Sequence, residues 1–193
     1  MRVIAGTHRG RRIQAPAGTG TRPTSDRVRE ALFSRIEAIL GEIPQDMSGL
    51  DLFAGSGALG IEALSRGLSR VTFVERDRCA LRVLRRNLDS LGLAARATVL
   101  QGDAIRLATG APLPGAPFAL LFLDPPYRIN KSEVSEAVEH LASTGSLGGG
   151  ALLVWEHGSS DPPKWPCGFE SLGERRYGDT TVSMSRMEGG ETG

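Results

Sequence analysis

The sequence predicts a doubly wound α/β domain built on a mainly parallel, seven-stranded sheet. Three features carry that expectation. Short β-branched and apolar runs alternate with helical patterns from about residue 49 to residue 155. The run Phe118-Ala119-Leu120-Leu121-Phe122-Leu123 is apolar throughout, as a strand covered on both faces must be. A glycine-rich turn, Gly55 to Gly60, stands between the first strand and the first helix of the alternation, where such folds approach a ligand.

The elements follow in order. Val3 to Gly6 and Arg11 to Gln14 read as two short strands around Thr7-His8-Arg9-Gly10, a small hairpin or extended arm, and Pro16 to Gly20 is loop. A helix is predicted from Asp26, with Thr24 or Ser25 as its N-cap, Val28, Leu32, Ile36, Ile39 and Leu40 as its apolar face, and Gly41 as its stop. Gly49 to Phe53 is the first strand of the alternation, and Ala58 to Arg66 a helix ended by Gly67. Val71 to Glu75 is a strand, and Asp77 to Leu91 a helix with Leu81, Leu84, Leu88 and Leu91 on one face and Gly92 as terminator. Ala97 to Leu100 is a strand followed by a short helix after Asp103. Phe118 to Leu123 is the next strand, Ser132 to Ser143 a helix, and Ala151 to Trp155 the fifth strand after Gly148-Gly149-Gly150. Phe169–Tyr177 and Thr180–Arg186 form a late antiparallel pair turning at Gly178-Asp179, and Glu188 to Gly193 is a tail. The expected organisation is a basic arm over 1–24, one catalytic-sized domain over 25–187 and the tail over 188–193.

Composition narrows the class. Hydrophobic content of 40% over 193 residues suffices for one core. No apolar stretch approaches the ~20 residues that cross a bilayer, and Met1 to Gly6 lacks the apolar segment of a secretion signal. Cys79 and Cys167 are too few and too far apart for a disulfide framework or a metal centre, so no metal site is expected and a reducing cytoplasm is. The net charge of +1 hides an asymmetry. Residues 1–35 hold eight arginines against Asp26 and Glu30, a balance of +6, and the remainder carries −5. Arginine over lysine is a habit of the whole chain, but the clustering is not, and it predicts a polyanionic partner. The candidate phosphate contacts are Arg9, Arg11, Arg12, Arg22, Arg27 and Arg29.

Asp51-Leu52-Phe53-Ala54-Gly55-Ser56-Gly57-Ala58-Leu59-Gly60 ends a strand and opens a helix. Gly55, Gly57 and Gly60 fit G-x-G-x-x-G, and Glu75, 20 residues past Gly55, is placed for ribose hydroxyls. Dinucleotide and S-adenosylmethionine sites share that pattern. Asp51, however, would repel a pyrophosphate, and Asp103 and Asp124 end two further strands. Any one of these carboxylates could be a helix cap. Four at successive strand ends suit a cationic sulfonium better than an anionic dinucleotide. Phe53, Ala54, Arg76 and Ala104 complete the expected cofactor set beside them.

Asp124-Pro125-Pro126-Tyr127 closes the buried strand. The prolines have no N–H, so their carbonyls can face a ligand without a backbone donor alongside. Asp124 adds a carboxylate acceptor and Tyr127 an aromatic face. A planar group bearing –NH2, such as a nucleobase, would meet acceptors and a stacking surface here. These four are the expected catalytic residues.

The glycine loop, Glu75, Asp103 and the tetrapeptide together resemble the class I S-adenosylmethionine-dependent methyltransferases, whose sheet is Rossmann-like. The D/N-P-P-Y/F motif is similar to that of the branch acting on amino groups of adenine, cytosine, guanine or glutamine. Arg2 to Gly6, Arg9-Gly10-Arg11, Arg22 to Glu30 and Asp51 to Gly60 narrow this further, and together resemble the RsmD-type 16S rRNA guanine-N2 methyltransferases. The likeness runs from residue 2 to about residue 130, with Val154-Trp155-Glu156 fitting more loosely. It implies methyl transfer from S-adenosylmethionine to N2 of a guanine, with S-adenosylhomocysteine as product. It also implies 16S rRNA within an assembling small ribosomal subunit as partner, a monomeric protein and bacterial cytoplasm. Arg22, Pro23 and Thr24 are expected to close over the cofactor. Adenine-N6 methylation of DNA or RNA, a nicotinamide dehydrogenase and a non-catalytic RNA-binding module are the competing readings.

Overall fold

The apolar run Phe118–Leu123 forms the strand expected of it and lies near the middle of a seven-stranded sheet. In the computed structural model, residues 1–16, 26–41, 43, 46–126, 128–158 and 163–189 are described. The strands are β1 Ser48–Asp51, β2 Arg70–Glu75, β3 Ala97–Gln101, β4 Phe118–Leu123, β5 Leu147–Gly158, β6 Phe169–Tyr177 and β7 Thr180–Met187, in the order β3-β2-β1-β4-β5-β7-β6. The first five run parallel; β7 is antiparallel to both β5 and β6. The chain steps outward from β1 to β3, then crosses back to lay β4 on the other flank of β1. That reversal opens a crevice at the carboxyl ends of β1 and β4, the usual ligand position in open α/β sheets.

Helices cover both faces. α1 Asp26–Leu40, α2 Ala58–Ser65 and α3 Arg78–Leu91 lie on one, and α4 Ala104–Ala108 and α5 Lys131–Ser143 on the other, each face with its own apolar core. α3 shows how local sequence sets an element. Its leucines repeat on one face, the Asp77 carboxylate accepts from the Ala80 N–H at 2.8 Å, and Gly92 ends it at φ +69°.

Two expectations change. The apolar face of α1 is Leu32, Phe33 and Ile36, with Arg29 buried among them; Val28, Ile39 and Leu40 are only partly covered. The expected N-cap of α1, Thr24 or Ser25, lies outside the described residues. β5 starts at Leu147, not Ala151, because the glycine trio bulges within the strand. Its pairing with β4 shifts between Phe118 and Leu120, and Gly150 takes φ +77°. Trp155 is fully buried, and Trp165 packs edge-on against it at 5.6 Å.

The N-terminal arm is docked rather than projecting. Arg2 and Arg12 form a single antiparallel bridge around a tight turn at Gly6–His8, with Val3 and Ile13 1% and 2% exposed in the core under α1 to α3. Gly6 makes this possible. It sits at φ +79°, and a Cβ there would stand 1.9 Å from the Ser65 carbonyl oxygen. Among the described residues no helix is long and apolar enough to cross a membrane.

Candidate active site

A cleft of about 550 Å³ opens at the carboxyl edge of β1 to β4. Asp51, Glu75, Asp103 and Asp124 all line it, so parallel pairing brings together four carboxylates that lie up to 73 residues apart in the chain. Phe53, Ala54, Gly55, Arg76 and Ala104 line it with them.

On the β2–β3 side the carboxylates are committed to the protein. Glu75 accepts from the Gly55 N–H at 2.8 Å and from the Asp77 N–H at 2.7 Å, which pins the glycine turn to the end of β2. Asp103 caps α4 by accepting from the Arg106 N–H at 3.1 Å, and its other oxygen faces Arg76 at 3.7 Å. The helix-cap alternative therefore holds for Asp103. Gly57 and Gly60, expected at the cofactor, are not among the residues lining the cleft. They serve packing: a Cβ on Gly57 would lie 2.3 Å from Leu84, and one on Gly60 2.3 Å from Phe73. Gly55 is different. It holds φ +53° with nothing within 4 Å of where a Cβ would stand, so bare backbone borders the open space.

On the β1–β4 side the carboxylates are short of partners. Asp51 is 2% exposed and accepts from the Gly60 N–H at 3.1 Å, which steadies the first turn of α2. Burial pushes its carboxyl up to about 7; the Gly60 bond opposes the rise and the nearby Glu75 charge adds to it. Asp124 presents its open surface to the cleft while protein surrounds the rest. Desolvation raises its carboxyl well above the usual carboxylate range, and the charges of Glu156 and Asp51 raise it further. Glu156 was not an expected site residue. It follows Trp155, the partner of Leu123 across β4 and β5, and so comes level with Asp124 one step later. Pro126 lines the cleft and Pro125 does not; the Pro126 carbonyl is occupied by the Ile129 N–H at 2.9 Å. Tyr127 lies outside the described residues.

The arm supplies a further wall. Met1, Ala15 and Pro16 line the cleft, as do Arg128 and Ile129 beyond the tetrapeptide, none of which the sequence reading marked. Glu62 of α2 holds the arm there. Fully buried, it accepts from the Ile4 and Ala5 N–H groups at 2.8 and 3.0 Å and pairs with Arg66 at 2.8 Å and Arg29 at 3.8 Å. One signal for it was present in the sequence: a lone glutamate inside an apolar octapeptide, Ala58 to Ser65. Arg29 must be removed from the phosphate contacts. Its side chain is 0% exposed, donates to the Asp26 carboxylate at 3.0 Å and to the Arg2 carbonyl, and anchors the arm to α1. Arg9, Arg11, Arg12 and Arg27 are exposed; Arg22, with Pro23 and Thr24, lies outside the described residues.

Comparison with known proteins places this geometry. The family model described as "Conserved hypothetical protein 95" matches residues 1–186. The chain is 38% identical over 156 residues to Ribosomal RNA small subunit methyltransferase D of Escherichia coli, covering 81% of this chain and 74% of that one. The solved structure of yhhF from Escherichia coli, named there as a candidate methyltransferase, superposes with a TM-score of 0.82 at 32% identity, over 98% of this chain and 99% of that one. An RNA methyltransferase of Salinibacter ruber, solved with S-adenosyl-L-homocysteine, shares the fold at a TM-score of 0.61 and 19% identity, over 86% and 94% of the two chains.

Proposed function

This chain belongs to the family described as conserved hypothetical protein 95, the RsmD-type methyltransferases, and from that premise we propose that it transfers a methyl group from S-adenosylmethionine to N2 of a guanine in 16S rRNA. The observation that carries the reading is Asp124, held at the crevice between β1 and β4 with its carboxyl facing the cleft beside Asp51. The substrate side rests on the named relative and on the arginines of the docked arm. The reading places the protein in bacterial cytoplasm, acting as a monomer on an assembling small subunit.

The residues fit such a cofactor. A cleft of about 550 Å³ suits a nucleoside-sized ligand. Bare backbone at Gly55 borders it, and Glu75 and Asp103 stand at the β2–β3 side, where ribose hydroxyls and an adenine amine would find acceptors. Asp51 and Asp124 have raised pKa values, so a cation between them would restore their charge and gain from it.

When bound, S-adenosylmethionine supplies an electrophilic methyl group on a sulfonium. Guanine N2 is a weak nucleophile because its lone pair is delocalised into the ring. Asp124 Oδ and the Pro125 carbonyl accept its two N–H bonds and turn the lone pair out of the ring plane. The Pro126 carbonyl serves Ile129 with one lone pair and Pro126 lines the cleft, so it is the alternative acceptor at this turn. Positive charge growing on the nitrogen is met by the Asp124 carboxylate, which takes the released proton. Tyr127 stacks on the base, a contact worth about 1–3 kcal/mol in nucleic-acid complexes. A paired guanine hides its amine, so the target base is unpaired or flipped into the cleft.

The test is to incubate the protein with methyl-labelled S-adenosylmethionine and, separately, naked 16S rRNA, small subunits from cells lacking the enzyme, DNA, or no acceptor. Label in N2-methylguanosine from the rRNA or subunit arm is the expected result. Label in N6-methyladenine, or in no nucleoside, overturns the proposal.

A further inference from the structure

The outer face of α3 has no place in the cleft. The helix buries Ala80, Leu81, Leu84, Asn87, Leu88 and Leu91, and the opposite face presents Arg78, Arg82, Arg85 and Arg86, all exposed. Their spacing keeps them on one side of the helix over about two turns. Among the described residues none of the four is ion-paired.

The docked arm extends this face. The Gln14 N–H donates to Asn87 Oδ1 at 2.9 Å, Asn87 Nδ2 returns a bond to the Gln14 carbonyl at 3.0 Å, and Arg11 donates to the Ser90 carbonyl at 2.9 Å. Exposed Arg9, Arg11 and Arg12 are thereby held beside the C-terminal half of α3. Asp77 and Ala80, at its other end, line the cleft. A basic track thus leads from the arm along α3 to the cleft mouth, with Asp77 and Asp89 as its exposed acids on the helix. The other side of the sheet has the opposite character: α5 exposes Glu133, Glu136 and Glu139. A polyanion is attracted to one helical face and repelled from the other.

We infer that Arg82, Arg85 and Arg86 of α3 continue the arm's arginines as a docking track for the phosphate backbone of the RNA that carries the target base. This rests on the proposed rRNA substrate and adds where that RNA lies on the protein. Arginines that meet phosphates release counterions, so the track has a defined salt signature. It strengthens binding and fixes register without reading sequence.

The experiment compares three proteins: the unaltered chain, R82E/R85E/R86E on α3, and R175E/R176E on β6 as a remote charge-reversal control. Each is tested for binding of a 16S rRNA fragment across a salt series, for affinity towards S-adenosylmethionine, and for methyl transfer. For the α3 variant the slope of log affinity against log salt should flatten by about 2, with cofactor affinity within twofold of the unaltered chain. The milder R82Q/R85Q/R86Q variant should flatten it in the same direction, which guards against a folding defect in the reversal. An unchanged slope in both α3 variants while the unaltered chain still methylates rRNA overturns the track alone. Equal losses in the β6 control overturn it as well, since net charge would then suffice. Normal binding to naked rRNA with lost activity on subunits would give this face to an acidic protein instead. An unaltered chain that neither binds nor methylates rRNA overturns the proposed function itself.

Discussion

The two flanks of the cleft hold their carboxylates in opposite ways. On the β2–β3 flank Glu75 and Asp103 spend their oxygens on backbone N–H groups and Arg76, building the turn that borders the cleft. On the β1–β4 flank Asp51 is buried and Asp124 faces the cleft, with the charge of Glu156 near Asp124, and both carboxyls have their pKa values driven up. The first flank is largely satisfied by the fold and keeps spare carboxylate lone pairs for a ligand. The second is costly until a cation arrives, so its ligand supplies what the fold withholds. Preorganisation is on one side, and unmet charge, the source of chemistry, on the other.

The largest expected effect lies on the unmet side. Asp124→Ala removes the acceptor and proton sink, so single-turnover methyl transfer should fall by about 10³-fold or more, while cofactor binding changes only severalfold. A rapid single turnover in that variant would dissolve the distinction between the flanks.

Next comes a paired contrast in stability without cofactor. The Asp51 carboxyl titrates near 7 in the fold and near 3.8 when unfolded. Its favourable contribution is therefore complete below about pH 3.8 and lost as pH rises through 7. Asp51→Asn should raise the melting temperature most at pH 8 and by a smaller amount at pH 5, where only part of the loss has accrued, provided the amide oxygen keeps the Gly60 bond. Glu75→Gln should lower it, because an NH2 donor would stand where one of the two carboxylate oxygens now accepts from the Gly55 or the Asp77 N–H. Thermal melts of both variants at pH 5 and 8 check this; a lower melting temperature for Asp51→Asn at pH 8 would make the flanks alike. In the same titration, cofactor affinity should tighten from pH 6 to pH 8 by up to about tenfold per unit below the Asp51 midpoint, and Asp51→Asn should flatten that rise.

The smallest effect tests the residue the sequence reading left out. Glu156→Gln removes one of the charges that raise Asp124, so the acidic limb of the pH–rate profile should move to lower pH. A limb that does not move would separate Glu156 from the reacting end of the cleft.

Most of the sheet was legible because buried strands and amphipathic helices write their periods into the chain. Phe118–Leu123 and Phe169–Tyr177 fall where the pattern put them, and α3 follows its leucines. The glycines were legible as a turn but not as a division of labour. Nothing local distinguishes Gly55, which borders open space, from Gly60, which makes room for Phe73 of the neighbouring strand. Arg29 looked like its arm neighbours in charge, and its burial depends on Glu62, 33 residues away.

The sequence by itself determined the order of strands and helices, the chemical identity of the groups at each strand end, and the charge of the arm. Those are local properties, set by side-chain period, turn chemistry and residue type. Only the tertiary structure decided how far each carboxylate is satisfied by the fold, which arginines meet solvent, and that Met1, Ala15 and Pro16 of the arm wall the cleft. Burial and hydrogen-bond partnership are long-range quantities. Asp51 is pushed to about 7 because the whole domain shuts water away from it, and no neighbour in sequence carries that information.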